Sequence, residues 1–312
     1  MSSRDLATGL VTLCQIVVGV LGNFSLLYRH IFLYVTGFRL RSTDLILNNL
    51  IVANSLSILT SGVPRTMAAF GLKDFLNDTG CKLLYFRSIG RDVSIGSTCL
   101  LSIFQAITII PRNSRWAEIK VKIPNYITLS ISLCWLLYML VNIIFPVFVT
   151  GNWRNDTIIK RKDFRYCSAK YHDRSADSLY AALLSFPDAL CLGLMLWASG
   201  STVSILYRHK QRVQHIHRTS LSPRSSPESR ATQTILLLVS TFVSFYTLSC
   251  IIQVCVSLFD SPSLLLQQIG AIFTLCFPTV SPFVLMGCDS SVSGVSFSCR
   301  RKKNSPNSIR YM

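Results

Sequence analysis

Long apolar segments alternate with short polar segments along almost the whole chain. The pattern is clearest between residues 190 and 252, where two apolar runs flank the basic segment 208–230. Each run, with its flanks, approaches the roughly 20 apolar residues that a helix needs to cross ~30 Å of hydrocarbon. Repetition of this pattern predicts seven membrane-spanning helices. Their approximate bounds are 6–28, 45–67, 81–110, 123–149, 179–207, 231–259 and 264–286.

The basic residues between the runs predict the orientation of the bundle. Short loops rich in Lys and Arg stay in the cytoplasm, and 208–230 carries six such residues against one Glu. If the N-terminus is outside, the inner segments hold 18 Lys and Arg and the outer segments hold 11. The inner segments, with 3, 4, 6 and 5 of them, are 29–44, 111–122, 208–230 and 287–312. We expect an all-α membrane protein with residues 1–5 outside, a seven-transmembrane helix bundle over 6–286, and a cytoplasmic tail over 287–312.

Composition supports a membrane protein. Half of the 312 residues are apolar and 14% are charged, whereas a soluble domain carries about 25% charged residues. The net charge of +17 could indicate nucleic-acid binding, but the basic residues lie mainly between apolar runs and no nucleic-acid-binding motif is present. The first apolar run is too long for a cleavable signal peptide, so we expect it to remain as a helix, with no soluble domain before it.

Two cysteines and two asparagines are expected on the outer side. Seven of the eleven cysteines fall in apolar runs, where Cys acts as a small hydrophobe. Cys81 and Cys167 map to the oxidising side, and a single pair of cysteines there predicts a disulfide; the alternative is two free thiols. Asn155 and Asn77 each begin an Asn-x-Thr triplet, which is a glycosylation acceptor.

Four charged residues fall inside predicted spans and more than two residues from their ends: Arg87, Arg91, Asp92 and Asp188. Arg91 lies ten residues beyond Cys81, or about 15 Å along a helix, which places it near the bilayer midplane. An arginine there needs a partner or a wet cavity. It either anchors an anionic or carbonyl-bearing ligand, or forms a structural ion pair with Asp92 or Asp188. Asp188 follows Pro187 and either lines a kinked pocket, pairs with an arginine, or lies near enough to the outer surface to be wet.

Longer segments of the chain strongly resemble vomeronasal type 1 receptors, and the resemblance extends from about Gly22 to the tail. The segments that carry it are VSIGSTCLLSIFQAITI (93–109), VNIIFPVFVTGNW (141–153), CLGLMLWASGSTVSILYRHKQRVQHIHR (191–218), SPRSSPESRATQTILLLVSTFVSFYTLS (222–249) and PTVSPFVLM (278–286). The resemblance implies a G-protein-coupled pheromone receptor in the plasma membrane of vomeronasal sensory neurons. Such a receptor binds a small ligand within the bundle and activates an inhibitory-class (Gi/o) G protein. It is not an enzyme, and we expect neither a cofactor nor a metal.

The chain departs from the wider rhodopsin-like pattern at three positions. Asn54 stands where an Asp is usual, which argues against a sodium ion there. Gln105-Ala106-Ile107 replaces Asp-Arg-Tyr, so an arginine-centred ionic lock does not carry over. Ser281-Pro282 replaces Asn-Pro in the seventh helix. The usual activation switches are therefore not expected in their standard form.

Basic residues on the predicted inner face are the expected G-protein contacts. Alternatively, they only set topology and meet anionic lipid. These residues are Arg112, Arg115, Arg208, Lys210, Arg212 and Arg218. Two other functions remain open: a bitter-taste-type or orphan receptor of the same topology, and a transporter or channel. For the transporter, the intramembrane charges are few and no internal repeat is visible.

Overall fold

The computed structural model describes residues 3–37, 42–71, 84–109, 117–143, 149–150, 161–164, 167–170, 174–216, 227–258 and 264–303. Within these ranges the chain forms seven helices and three short strands. The helices are α1 (Ser3–Val35), α2 (Ser42–Ala69), α3 (Leu84–Ile109), α4 (Ala117–Asn142), α5 (Arg174–Ile216), α6 (Pro227–Leu258) and α7 (Leu264–Lys303). The strands are β1 (Val149–Thr150), β2 (Arg161–Phe164) and β3 (Cys167–Lys170).

Six helices contain segments that are long and apolar enough to cross a membrane. These segments are Asp5–Val35, Thr43–Ala69, Tyr85–Ile109, Ser185–Arg208, Thr232–Ile252 and Gln268–Met286. The seventh helix, α4, contributes a shorter apolar stretch, Tyr126–Asn142. The architecture is therefore an α-helical bundle consistent with seven membrane crossings.

The bundle has an apolar exterior and a partly polar interior. Large apolar side chains such as Leu21, Phe24 and Trp197 are more than half exposed, whereas Asn23, Asn54 and Ser97 are buried. A soluble protein of this size would not leave so many large apolar residues uncovered. In lipid the arrangement is favourable, because hydrocarbon covers the apolar faces and polar groups pair between helices.

Hydrogen bonds between helices define their directions. Gln268 near the start of α7 donates to Asp5 near the start of α1, so these two helices run in parallel. Gln105 near the end of α3 donates to Thr232 near the start of α6, so these two run antiparallel. We call the end at which α3, α5 and α7 begin the sheet end, because the strands join α4 to α5 there. Packing of α1 on both α2 and α7 closes the ring, while α3 touches α2, α4, α5 and α6.

Four helices end well away from the ends that the hydropathy pattern predicts. The helix α1 continues beyond the predicted end at 28 to Val35. The predicted fourth span reaches residue 149, but α4 ends at Asn142 and Val149 begins β1. The helix α5 continues beyond the predicted end at 207 to Ile216, well into the segment expected to be a loop. The helix α7 extends through the predicted tail to Lys303. Hydropathy marks where the apolar segment ends, and a helix can continue past that point into water.

A small antiparallel sheet lies between α4 and α5, in strand order β1-β3-β2. Val149 pairs with Ala169, and Phe164 pairs with Cys167. The sequence did not predict these strands. The β2 segment, RKDF, is short and mostly charged, so it lacks the alternation of apolar and polar residues that indicates a strand.

Glycine permits a close approach between α2 and α3. A Cβ atom added at Gly90 would lie 2.8 Å from the backbone nitrogen of Ser57 and 3.2 Å from the carbonyl oxygen of Ala53. Because these are backbone atoms, relief would require the helices to separate. Small residues at such crossings are typical of membrane helix packing.

We predict that Gly90→Ala destabilises the receptor by about 1–3 kcal/mol, the usual cost of overpacking. The matched control is Gly200→Ala in α5, because an added Cβ at Gly200 meets no atom within 4 Å. Thermal unfolding of the detergent-solubilised receptor measures both. Equal melting temperatures for the two variants would contradict the close approach.

Candidate functional site

Arg91 lies between two carboxylates inside the bundle. Its Nε donates to Asp92 Oδ1 at 2.8 Å, and its Nη2 lies 2.8 Å from that same oxygen. Nη2 also lies 3.8 Å from Oδ2 of Asp188 on α5. The side chain of Arg91 is 39% exposed, whereas those of Asp92 and Asp188 are 3% and 6% exposed. The arginine is therefore both an ion-pair partner and an accessible group.

Neighbouring helices hold the two carboxylates in place. Asn142, the last residue of α4, donates to Asp92 Oδ2 at 2.8 Å. The Tyr246 hydroxyl of α6 donates to Asp188 Oδ2 at 3.2 Å. One cluster thus connects α3, α4, α5 and α6. We call Arg91, Asp92, Asn142, Asp188 and Tyr246 the charged cluster.

A cavity with about 540 Å³ of empty space, partly continuous with the exterior, lies beside the charged cluster. Residues of α2, α3, α6 and α7 line it, and Arg91 and Tyr246 belong to both the cavity and the cluster. Much of this space is open to the exterior, and the enclosed part has a volume of about 60 Å³. One of the three interpretations of Asp188 placed this residue of α5 in the wall of a pocket. Within the described residues, α5 instead contributes Asp188, behind Arg91 and Tyr246.

Aromatic rings form one wall of the cavity. The rings of Phe242 and Phe277 meet edge to face with centroids 4.7 Å apart, and Phe242 stacks on Tyr246 at 5.6 Å. Phe245 and Phe273 line the same space. These rings offer apolar contact area for a ligand, while the guanidinium of Arg91 offers hydrogen-bond donors.

Asn54 organises the polar core below the cavity. Its amide donates to the Ser281 hydroxyl at 2.9 Å, and its oxygen accepts from the Ser94 hydroxyl at 2.7 Å. All three side chains are at least 97% buried. Asn54 and Ser281 are two of the positions at which the sequence departs from the rhodopsin-like pattern. Here they bond directly to each other, so the two departures form a neutral pair.

The two prolines of α7 leave backbone carbonyls that need other partners. A proline removes the hydrogen bond to the carbonyl four residues earlier, so Pro282 frees the carbonyl of Pro278. The amide of Asn23 in α1 donates to that carbonyl at 3.1 Å. Arg65 of α2 also donates to α7, at the carbonyl of Ala271 and at 2.8 Å, although neither proline frees that carbonyl. Side chains from α1 and α2 therefore hold α7 in place.

At the opposite end, Gln105 joins α3 to α6. Its amide donates to the Thr232 hydroxyl at 2.6 Å, and both side chains are buried. Arg208 lies exposed on α5 at this end, and Lys210 and Arg212 follow on the same helix. The helical segment beyond Arg208 extends about 12 Å past the apolar part of α5.

The structure describes only some of the other residues that the sequence predicted to be functional. Arg87 lies one turn before Arg91 on α3, is partly exposed, and is not among the described residues that line the cavity. Cys167 lies in β3. Cys81, Asn77, Asn155, Arg112, Arg115 and Arg218 lie outside the described residues. The disulfide and the glycosylation sites therefore stay predictions.

Sequence reasoning missed several residues of the site. Asn142 and Tyr246 both bond to the carboxylates, yet neither is charged, and each lies in an apolar run. Nothing in the sequence distinguished the aromatic residues of α6 and α7 that line the cavity from aromatic residues that face lipid. An asparagine within an apolar run was the one available signal, because a buried amide in a membrane helix requires partners.

An α-helical bundle with an apolar exterior, a polar interior and an aromatic cavity beside a buried charge is consistent with the seven-helix class of membrane proteins. Comparison of the sequence with known protein families identifies one family over most of the chain. The vomeronasal organ pheromone receptor family matches residues 6–298. The chain belongs to this family, which is a family of pheromone receptors and not of enzymes.

Individual relatives match over nearly the whole of this chain. Vomeronasal type-1 receptor 4 of Homo sapiens is 58% identical over 302 residues, covering 96% of this chain and 100% of the relative. Vomeronasal type-1 receptor 2 of Homo sapiens is 59% identical, covering 96% of this chain and 77% of the relative. Vomeronasal type-1 receptor 90 of Rattus norvegicus is 36% identical, covering 89% of this chain and 90% of the relative.

We predict that Arg91→Gln lowers the free energy of unfolding by on the order of 2 kcal/mol. Removing one partner of a fully buried pair costs about 3–5 kcal/mol, and the partial exposure of Arg91 reduces this cost. The double variant Arg91→Gln/Asp188→Asn is expected to be less destabilised than the sum of the two single variants, because it removes both charges together. Strict additivity in thermal unfolding would show that the 3.8 Å contact carries no coupling.

We also predict that Asn54→Ala destabilises the receptor by about 1–3 kcal/mol, because the buried hydroxyls of Ser94 and Ser281 both lose a partner. Ser55→Ala is the control on the same helix, since the Ser55 hydroxyl bonds, among the residues that the structure describes, to the carbonyl of Ile51 in its own helix. Thermal unfolding compares them. A cost for Asn54→Ala no greater than that for Ser55→Ala would contradict the bridging role of Asn54.

Proposed function

We propose that this chain is a pheromone receptor of the vomeronasal type 1 class that binds a small ligand in the aromatic cavity and activates an inhibitory-class G protein. The observation that carries the ligand site is the joint position of Arg91 and Tyr246. Both line the cavity, and both contact the buried carboxylates. A ligand that touches either residue changes the contacts between α3, α5 and α6. Asp92 and Asp188 hold these two residues without lining the cavity, and a contact of Arg87 with the ligand stays a prediction.

The proposed orientation places the sheet end outside and the opposite end in the plasma membrane's cytoplasmic leaflet. The cavity would then be reached from outside, below the sheet. Support comes from the bias of Lys and Arg toward the predicted inner segments. A disulfide between Cys81 and Cys167 and glycans on Asn155 and Asn77 belong to the same proposal.

The proposed G-protein surface is the basic end of α5. Arg208 is exposed there, and the helix carries Lys210 and Arg212 beyond the apolar segment. Arg112, Arg115 and Arg218 extend this surface in the sequence. A helix that projects past the membrane presents its cations to a partner, and anionic lipid headgroups are a second contact for the same residues.

Activation requires that the ligand bind one arrangement of the bundle more tightly than the other. Helix α6 supplies the aromatic wall of the cavity through Phe242 and Tyr246, and it also supplies Thr232 at the opposite end. A ligand that shifts Phe242 and Tyr246 therefore also acts, through α6, on the contact between Thr232 and Gln105. Movement of α6 would thereby connect the two ends.

We predict that Ser249→Leu, which fills part of the cavity, raises the half-maximal ligand concentration at least ~10-fold, equivalent to ~1.4 kcal/mol. Ser249 is buried and lines the cavity. The control is Ser244→Leu, because Ser244 is exposed on the same helix. The measurement is G-protein activation in cells with an inhibitory-class Gα, challenged with small volatiles and steroid conjugates.

Two further arms separate the parts of this proposal. Cells that lack inhibitory-class Gα are expected to give no signal, and a retained signal would contradict the choice of G protein. Equal loss of response in Ser249→Leu and Ser244→Leu, with matched surface expression, would place the ligand elsewhere than in the cavity. Ligand-independent ion flux would favour a channel over a receptor.

A further inference from the structure

The positive charge of Arg91 is already balanced within the protein. One carboxylate, Asp92, bonds both Nε and Nη2, and a second carboxylate, Asp188, lies 3.8 Å from Nη2. A single carboxylate suffices to neutralise one guanidinium. The cluster therefore offers no excess positive charge to the cavity, even though an arginine lines its wall.

Arg91 nevertheless keeps hydrogen-bond donors for a ligand. A guanidinium carries five N–H groups, and the contacts to the carboxylates use Nε and Nη2. Among the described residues, none accepts a hydrogen bond from Nη1. The side chain is 39% exposed and lines the cavity. Donors backed by two carboxylates, and so without excess positive charge, suit an uncharged acceptor such as a carbonyl or an ether or hydroxyl oxygen.

Four other polar residues of the cavity wall are already paired, whereas a fifth, Ser57, has no side-chain hydrogen bond to another described residue. Tyr246 donates to Asp188, and Ser94 donates to Asn54. The hydroxyls of Ser249 and Thr274 bond to each other at 3.3 Å. The rest of the wall is mainly aromatic. Arg91 is therefore the principal polar anchor for a ligand, and the aromatic rings contact the ligand's apolar part.

We propose that the cavity selects uncharged ligands, each an apolar body carrying a carbonyl or hydroxyl oxygen that accepts a hydrogen bond from Arg91, and that it discriminates against carboxylates and sulfates. This inference rests on the proposed function and narrows its ligand class. An anion beside Arg91 would lie close to Asp92 and Asp188, and repulsion between like charges is strong where water is excluded. A cation bound at the same place would be repelled by the guanidinium of Arg91.

The thiol of Cys250 permits a test that needs no known ligand, because Cys250 lines the same cavity. Full-length receptor is treated with three alkyl methanethiosulfonate reagents of similar size, which carry a neutral, a sulfonate or an ammonium group. Each transfers its alkylthio group to the thiolate and releases methanesulfinate. Peptide mass spectrometry measures the rate of modification at Cys250. The Cys250→Ser variant gives the background signal in the absence of that thiol.

The informative quantity is the rate with a charged reagent divided by the rate with the neutral reagent, relative to the same ratio for a free thiol in solution. This ratio cancels differences in the thiolate fraction of Cys250. We expect the sulfonate ratio to be ~10-fold below that of the free thiol, equivalent to ~1.4 kcal/mol. Asp188→Asn is expected to raise the ratio. Asp44→Asn is the matched control and is expected to leave it unchanged, because Asp44 lies in the first turn of α2, at the opposite end.

Each outcome decides between the two proposals. A sulfonate ratio equal to or above that of the free thiol, or an Asp188→Asn variant no different from Asp44→Asn, would overturn the selection against anions. An ammonium ratio above that of the free thiol would overturn the choice of uncharged ligands in favour of cations. These results would leave the proposed receptor function standing. Failure of all three reagents to reach Cys250 would instead remove the cavity as an accessible ligand site, and with it the proposed binding mode.

Discussion

Hydrocarbon offers no hydrogen bonds, so every polar group inside this bundle needs a partner from the protein. That constraint explains the interior. Asn54 satisfies the hydroxyls of Ser94 and Ser281 and joins α2 to α3 and α7. Asn23 satisfies the Pro278 carbonyl that Pro282 leaves free, and so joins α1 to α7. The proline in α7 and the asparagine in α1 are therefore one structural feature, although more than 250 residues separate them in the sequence.

The same constraint divides the bundle into two unequal parts. Side-chain amides join α1, α2, α3 and α7 near the middle of the membrane-spanning region, whereas α6 has polar links to α3, α5 and α7 at separate points along its length. These links are Gln105 to Thr232, Tyr246 to Asp188 and Ser249 to Thr274. Two of the three border the cavity. A ligand there acts directly on the contacts of α6, while the Asn54 core remains fixed. The neutral amide of Gln105 replaces a charged contact, so water and lipid charge should affect this link less than an ionic one.

Hydropathy predicts the helices well because lipid imposes the same length on each crossing. It predicts the ends less well, since α5 and α7 continue as helices beyond their apolar segments. The sequence also located Arg91 within a helix and required a partner for it. It did not choose between Asp92 and Asp188, because the answer depends on how α3 and α5 are rotated about their axes. The contacts of Asn142 and Tyr246 with the carboxylates could not be predicted, for the same reason. Their contribution is set by helix rotation, on which hydropathy carries no information.

The early end of α4 illustrates how the site also determines the fold. The apolar run continues to residue 149, yet the helix ends at Asn142. Pro146 in the sequence disfavours continuing the helix through this run, and two side chains of α3 hold the end at Asn142 in place. Asp92 accepts a hydrogen bond from Asn142, and the Tyr85 hydroxyl donates to the carbonyl of Met139, which the end of the helix leaves without its usual partner. Ile143 satisfies the carbonyl of Leu140. A carboxylate that balances Arg91 therefore also fixes the end of the neighbouring helix, so a change in the charge of this cluster would alter both the cavity and the point at which the chain leaves α4.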